Sequence, residues 1–345
     1  MFGGGYDAAV YDEEDVSARD YTSLKGNGIY IVNAKTGKYI WSYDGFDLKD
    51  SIPSSIRVLD IDRNGSIDRL YFGDLGGNVW RVDLNVDETD GDEGLYDVKQ
   101  DARIYKLANL GGNSGDKRKF FHEPEVSLFK HQGSPVVTVS IGSGYRAHPL
   151  NTSIEDRLYV LYDENVMSSP KDAPQPLTES SLTTPDALGR QDFLPKYKGW
   201  YKDLTNSNGE KVLSTPLIFL DKVMFTTFGL TALRAHTTDA CAQTTNNESR
   251  AYALDLMTGA PTADLDGDGI ITDKDESIVI GSGEIPETPQ LVFNKPTNCT
   301  KDGCDQFVDV RIGKMETPLI NKDTVGGNVN LRGYLPKVFW LNSEQ

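Results

Sequence analysis

Soft metal ligands are scarce in this chain, with three cysteines and four histidines in 345 residues. No histidine stands at ligand spacing from a cysteine, which argues against a structural zinc site. Positive charge is also short. Lys and Arg total 35 against 52 Asp and Glu, giving a formal charge of −17 and a pI near 4.7. That balance repels nucleic-acid phosphates and offers no basic stripe to an anionic bilayer, so neither is the expected partner. No stretch approaches the roughly 20 apolar residues of a membrane span, and no transmembrane segment is expected. The opening Met1-Phe2-Gly3-Gly4-Gly5 has neither the basic start nor the apolar run of a secretory signal. There is no Gly-x-Ser-x-Gly elbow, and His122, His131, His148 and His236 lie in polar segments without an evident nucleophile. A hydrolase is disfavoured.

What the chain does contain is 33 glycines, 16 prolines and 16 tyrosines, with few apolar runs at helical spacing. This composition favours many short strands joined by turns, an all-β protein. Residues Ile29 to Asn33 and Tyr39 to Tyr43 alternate around a Lys35-Thr36-Gly37 turn and read as a hairpin. The same grammar returns at Gly77 to Leu84, Asp156 to Asp163 and Arg250 to Gly259, while Pro135 to Gly142, Pro216 to Leu220 and Pro318 to Ile320 each place a proline before an apolar strand. Recurring short strands with Gly and aromatic marks are the sequence form of a β-propeller, here of about five to seven blades with seven expected. Long polar insertions at Asp87 to Gly94, Ser168 to Leu194, Thr237 to Ser249 and Glu284 to Asp305 read as surface loops. Residues 1–345 are expected to form one propeller domain, a piece of a longer exported protein. In that setting Cys299 and Cys304 are expected to close a small disulfide, leaving Cys241 without a partner.

Two acidic loops carry the chemistry. Asp60, Asp62, Asn64 and Asp68 fall at positions 1, 3, 5 and 9 of a nine-residue loop, with Gly65 at position 6, where a sharp turn needs a residue without a Cβ. Strands at Arg69 to Gly73 and Asn78 to Val82 follow, joined at Gly76-Gly77, so the loop belongs to a sheet and not to an EF-hand. In the second loop Asp264, Asp266 and Asp268 occupy positions 1, 3 and 5. Gly269 is position 6, Ile270 offers its carbonyl at 7, Thr272 sits at 9 and Asp275 at 12, where a full EF-type loop has Glu. Hard oxygen ligands at this spacing suit Ca2+, one ion or two, better than Mg2+, whose octahedral shell tolerates crowded cages poorly. Asp74 is expected to serve its turn, and Asp87, Asp90 and Asp92 to form a solvated acidic loop. Trp41, Trp80 and Trp340 read as strand packing. Trp200 is the one to test as an exposed contact, although core packing is favoured for it too.

These residues carry a resemblance. Asp60-x-Asp62-x-Asn64-Gly65-x-x-Asp68, then Tyr71-x-Gly73-Asp74 and Trp80-Arg81-x-Asp83, preceded by Phe2-Gly3-Gly4-Gly5-Tyr6-Asp7 and followed by Ile141-Gly142-Ser143-Gly144-Tyr145-Arg146, resemble the C-terminal domain of the PilC/PilY family of type IV pilus tip-associated adhesin and biogenesis proteins. The resemblance implies a modified β-propeller and calcium held by Asp60, Asp62, Asn64 and Asp68 with a backbone carbonyl from Ser66. It also implies a second calcium loop late in the domain, where Asp264 to Asp275 lies. By the same resemblance the protein is exported to the bacterial surface or pilus tip, in association with the outer membrane. There it would meet pilin subunits, other pilus-assembly proteins and a host-cell receptor, and support pilus extension, twitching motility and adhesion. The family's N-terminal adhesive region and an Arg-Gly-Asp triplet are absent from this sequence, so an integrin contact is not carried over. A non-enzymatic role is expected. The alternative is a dehydrogenase using pyrroloquinoline quinone and calcium, since Gly26 to Trp41 also resembles quinoprotein propeller repeats, a fold-level analogy only.

Overall fold

The structure is a computed structural model that describes residues 1–45, 47–84, 102–112, 115–131, 134–167, 169–170, 172–185, 197–231, 246–293, 297–300, 303–305, 307–313, 315–317 and 329–330. Five antiparallel sheets follow one another along the chain. The first holds Phe2–Gly3, Ile29–Val32 and Tyr39–Tyr43, and the second Arg57–Leu59, Arg69–Gly73, Asn78–Asp83 and Arg103–Asn109. The third is built from Glu125–His131, Ser134–Gly142, Arg157–Asp163 and Gly199–Asp203. In the fourth, Asn208–Val212 and Leu217–Phe219 both pair with Lys222–Thr231, and Asn246–Asp255 and Ser277–Gly281 continue outward. The fifth comprises Gln290–Phe293, Phe307–Ile312, Met315–Thr317 and Val329–Asn330, beside a separate hairpin of Thr297–Thr300 and Gly303–Asp305.

Side chains two apart on a strand share a face, and that period sorts the core into layers. Leu70 and Phe72 join Ile29, Ile31 and Trp41 between the first and second sheets. Tyr71, between them in sequence, turns the other way and packs with Val137, Val139, Tyr159 and Leu161 of the third sheet. Leu158, Val160 and Tyr162 then meet Val223, Phe225, Tyr252 and Leu254 of the fourth. Met224, Ala251 and Ala253 close the series against Val308 and Val310 of the fifth. The inner sheets are thus buried on both faces, which is why their strands read as near-continuous apolar runs. Gly77, at φ +76°, lets the turn after Arg69–Gly73 come so close to the next loop that a Cβ there would lie 2.3 Å from Gly111 Cα.

The all-β class agrees with the sequence, and the expected hairpins fall at Ile29–Val32/Tyr39–Tyr43 and Arg69–Gly73/Asn78–Asp83. The sheets are open, so closure into a propeller is not established by them. Among the described residues no helix is long and apolar enough to cross a membrane. Three insertions contain more structure than surface loops do. Leu177 N–H donates to Leu107 O, and Asn109 N–H donates back to Leu177 O, both at 2.8 Å. That exchange stitches residues near 177 to the edge of the second sheet. Residues 246–249 and 290–293 are strand. Trp200 is fully buried, its Nε1–H donating to Leu256 O at 3.0 Å, so it is a core residue and not an exposed contact. Cys241, Trp340, Asp87 to Gly94 and Pro318 to Ile320 lie outside the described residues, as do the side chains of Cys299 and Cys304.

Burial also leaves a charge poorly compensated beside the third sheet. Asp156 is almost wholly buried; its Oδ1 accepts from Ser143 Oγ at 2.6 Å, while Oδ2 has no partner. Burial raises its pKa from 3.8 to about 6, against the Ser143 hydrogen bond and the Lys211, Lys119 and Arg118 charges. The folded state therefore holds this proton more tightly than the unfolded chain. The associated stability is complete below the ordinary carboxylate pKa and is lost as pH rises through about 6. A shift of this size corresponds to about 3 kcal/mol. Asp156→Asn keeps the Ser143 bond and removes the charge. Urea unfolding should show it more stable than wild type by up to about 3 kcal/mol near neutrality and no more stable at about pH 4.

Candidate metal centre

The first acidic loop connects Arg57–Leu59 to Arg69–Gly73, and Asp68 N–H donates to Leu59 O at 2.9 Å where the two strands part. Two residues bend the loop inward: Arg63 at φ +63° and Gly65 at φ +92°. Within the bend the side chains cap the backbone in sequence. Gly65 N–H donates to Asp60 Oδ2 at 2.9 Å, Asn64 N–H to Asp62 Oδ1 at 3.0 Å, Ser66 N–H to Asn64 Oδ1 at 2.7 Å and Ile61 N–H to Asp68 Oδ2 at 2.7 Å. These bonds turn Asp60, Asp62 and Asp68 toward one point, with one oxygen of each within 4.8 Å of the others. Asn64 lies alongside, its Nδ2 donating to Asp62 Oδ2 at 2.8 Å.

Three carboxylates at that separation repel one another unless a cation lies between them. Asp60 Oδ1 is buried and has no hydrogen-bond partner. An orphaned acceptor inside a carboxylate cluster costs free energy in water's absence, and a bound cation removes the cost. The donor set is all oxygen. It fits a hard divalent ion such as Ca2+.

The second loop joins Asn246–Asp255 to Ser277–Gly281 of the fourth sheet, and Gly267 and Gly269 take φ +80° and +87°. Asp264, Asp266 and Asp268 again converge within 4.8 Å. Here Asp264 accepts Gly267 N–H and Gly269 N–H on its two oxygens, at 2.7 and 2.8 Å, and Ile270 N–H caps Asp268 at 2.8 Å. Asp275 stands outside that cluster. It is fully buried and accepts from Leu265 N, Asp266 N, Thr272 N and Thr272 Oγ1. Those bonds, the backbone bond from Thr272 foremost, hold its pKa below the usual carboxylate value. Asp275 thus fastens the two ends of the loop together. The Ile270 side chain is 65% exposed.

Asp74 belongs to its turn, as expected: it accepts from Gly76 N, Asn78 N, Asn78 Nδ2 and Trp80 Nε1. What sequence reasoning missed is the structure behind the first loop. Asp68 O accepts from Arg69 Nη1 at 3.0 Å and from Leu84 N at 2.9 Å. Arg69 reaches Val166 O with Nη2 at 3.1 Å and pairs with Asp83 at 3.0 Å. Asp83 binds Arg81 Nε at 2.6 Å, and Arg81 Nη1 in turn spans both oxygens of Asp163 at 3.0 and 2.8 Å. Tyr71 OH completes the group, donating to Asp163 at 2.9 Å. All five side chains are buried. Burial alone would lower the Arg81 pKa, but the carboxylate charges of Asp163, foremost, and Asp83 more than reverse that, so the guanidinium stays charged. The first acidic loop is therefore continuous with an ion network that bolts the second sheet to the third. A signal existed in the sequence: Arg69/Tyr71 and Arg81/Asp83 place charge and hydroxyl at alternate positions of strands that are otherwise apolar.

No family profile matches the chain. In sequence it is 26% identical over 245 residues to the type IV pilus biogenesis factor PilY1 homolog of Xylella fastidiosa, an alignment covering 60% of this chain and 16% of that protein. In fold it matches the crystal structure of the Pseudomonas aeruginosa PilY1 C-terminal domain with a TM-score of 0.56 and 20% identity, over 84% of this chain and 65% of that one. Sequence and fold together support a PilY1-family C-terminal domain. This PilY1-like chain spans about a sixth of the length of the curated relative that it matches. Within the PilY1-like fold, the Asp60 loop sits at the first turn of the second sheet and the Asp264 loop between two strands of the fourth.

Proposed function

We propose that this chain is the calcium-binding C-terminal domain of a longer, exported type IV pilus-associated protein, with a non-enzymatic role in pilus biogenesis. The single observation that carries the calcium reading is the Asp60, Asp62 and Asp68 cluster with its orphaned, buried Asp60 Oδ1. The relative's description as a pilus biogenesis factor supplies the setting. Asp60, Asp62 and Asp68 would hold the ion through carboxylate oxygens, with Asn64 and the Ser66 carbonyl completing the set. Bound calcium supplies positive charge that offsets the mutual repulsion of these groups. Asp264, Asp266 and Asp268, with the Ile270 carbonyl, form a second site of the same kind, whose ends Asp275 fastens.

The Asp60 site is the responsive one in this reading. Its last carboxylate belongs to Asp68, whose own carbonyl is held by Arg69 and Leu84. Fixing Asp68 fixes Arg69, and through it the contact to Val166 beyond the third sheet. The surface so ordered would meet pilin subunits, other assembly proteins or a host-cell receptor at the cell surface or pilus tip, and so bear on extension, twitching motility and adhesion. The test is complementation with the full-length protein in a piliated bacterium that lacks its own PilY1-like gene product. Asp60→Ala and Asp68→Ala should reduce surface piliation and twitching in calcium-replete medium while secretion of the protein is unchanged. Wild-type motility from both variants would remove the calcium-responsive part of the proposal.

A further inference from the structure

Away from both acidic loops, two cavities of about 520 and 350 Å³ adjoin along the segment 11–21, the larger against the loop 145–153 and the smaller against residues 49–50 and 115–119. They share one wall made by Tyr11, Val16, Arg19 and Asp116. Arg19 and Asp116 pair across that wall at 2.8 Å, so the divider is close to neutral. The two sides differ in sign. Beyond the divider the larger cavity presents Asp12, Glu13 and Glu14 against His148, whereas the smaller presents Lys49, Lys117 and Lys119 against Asp50. One end is acidic and the other basic.

The walls are built and fastened. Tyr11 and Tyr145 are buried to 1% and 3% exposure, and Tyr145 OH donates to the Tyr11 carbonyl. Tyr11 OH donates to Asp50 at 3.0 Å, and the Lys119 ammonium sits 4.5 Å from the centre of the Tyr145 ring. On the acidic side Tyr6 OH donates to Asp12 at 2.6 Å, and His148 Nε2 lies 2.9 Å from the same carboxylate. The His148 ring rests 4.7 Å from Tyr145. Exposed carboxylates at the rim of the larger cavity suit the head of a lysine or arginine, whose apolar stem finds Val16 and the exposed Leu150 in the same lining.

We propose that this polarised cleft docks an extended peptide segment of a partner protein, one that carries a basic side chain and, a few positions away, an acidic one. The basic residue enters the cavity of Asp12, Glu13 and Glu14, and the acidic residue the cavity of Lys49 and Lys117. Charge complementarity at both ends sets the preference, and the rigid tyrosine wall limits the entropy lost on binding.

Fluorescence anisotropy with four labelled peptides on one Ser-Gly spacer tests the assignment: Lys/Asp, Lys/Lys, Asp/Asp and an uncharged Ser/Ser control. At low salt the Lys/Asp peptide should bind the wild-type chain about tenfold more tightly than any of the others. The double variant Glu13→Lys with Glu14→Lys should shift the preference to Asp/Asp, and Lys49→Glu with Lys117→Glu to Lys/Lys. All four residues are exposed, and unchanged far-ultraviolet circular dichroism checks the fold of both variants. Equal binding of the four peptides, no saturable binding of any, or a ranking that neither variant alters would overturn the proposal. So would occupancy of the cleft by a neutral oligosaccharide such as maltohexaose with the peptides silent.

Discussion

Asp163→Ala is expected to destabilise the fold by about 3 kcal/mol, because it removes one of the two carboxylates that compensate a buried guanidinium. Arg81 has both Asp163 oxygens on Nη1 and Asp83 on its other nitrogens, and its side chain is completely buried. Removing Asp163 takes away the neighbouring sheet's share of that compensation and also leaves the Tyr71 hydroxyl without its acceptor. The Arg81 guanidinium lies 5.3 Å from the Tyr105 ring centre, a contact too weak to replace a lost carboxylate. Replacing both charges should hurt less than replacing one. In the double variant Asp163→Leu with Arg81→Met no lone charge stays buried, so its loss should be smaller than that of Asp163→Ala, with the coupling read from a urea-unfolding double-mutant cycle. Strict additivity would mean that the two groups do not act as a pair.

The contrast between this network and the acidic loops shows what the sequence made legible. A carboxylate cluster of this kind is local: Asp60, Asp62 and Asp68 meet because nine residues with a glycine at the sixth close on themselves, and the spacing alone announces it. The Arg81–Asp163 pair joins residues 82 apart, and no local pattern states which arginine faces which aspartate. Strands divide in the same way. Ile29–Val32 and Asn78–Asp83 were readable from alternation beside a glycine turn. The strand Asn246–Asp255 was readable only from Arg250 onward, since Asn246, Asn247, Glu248 and Ser249 have poor β propensity. They are strand because Lys222–Thr231 offers a partner over ten consecutive residues, and tertiary pairing overrides propensity. Asp275 stands twelfth by count, and its four hydrogen bonds to the loop's own ends are likewise invisible in the spacing.

Calcium should stabilise the native chain by about 2.7 kcal/mol when its free concentration is a hundredfold above the dissociation constant, provided the unfolded chain does not bind it. The physical source is the Asp60 cluster: three carboxylate oxygens within 4.8 Å of one another, and an Asp60 Oδ1 that is buried without a partner. Chelation should therefore lower the unfolding midpoint, and Asp60→Ala should abolish most of that calcium-dependent increment. The variant also loses the cap on Gly65 N–H, which lowers stability somewhat with or without the ion. The increment and the baseline thus separate when each protein is melted with excess calcium and with chelator. Weak extracellular modules bind at about 10⁻⁴–10⁻³ M, so millimolar calcium is the relevant range.

The most direct measurement is a calorimetric calcium titration of the wild-type chain beside separate Asp60→Ala and Asp264→Ala variants. The account predicts saturable binding to wild type, with Asp60→Ala losing one binding event and Asp264→Ala retaining it. A wild-type chain that takes up no calcium, or an isotherm that Asp60→Ala leaves unchanged, would contradict it.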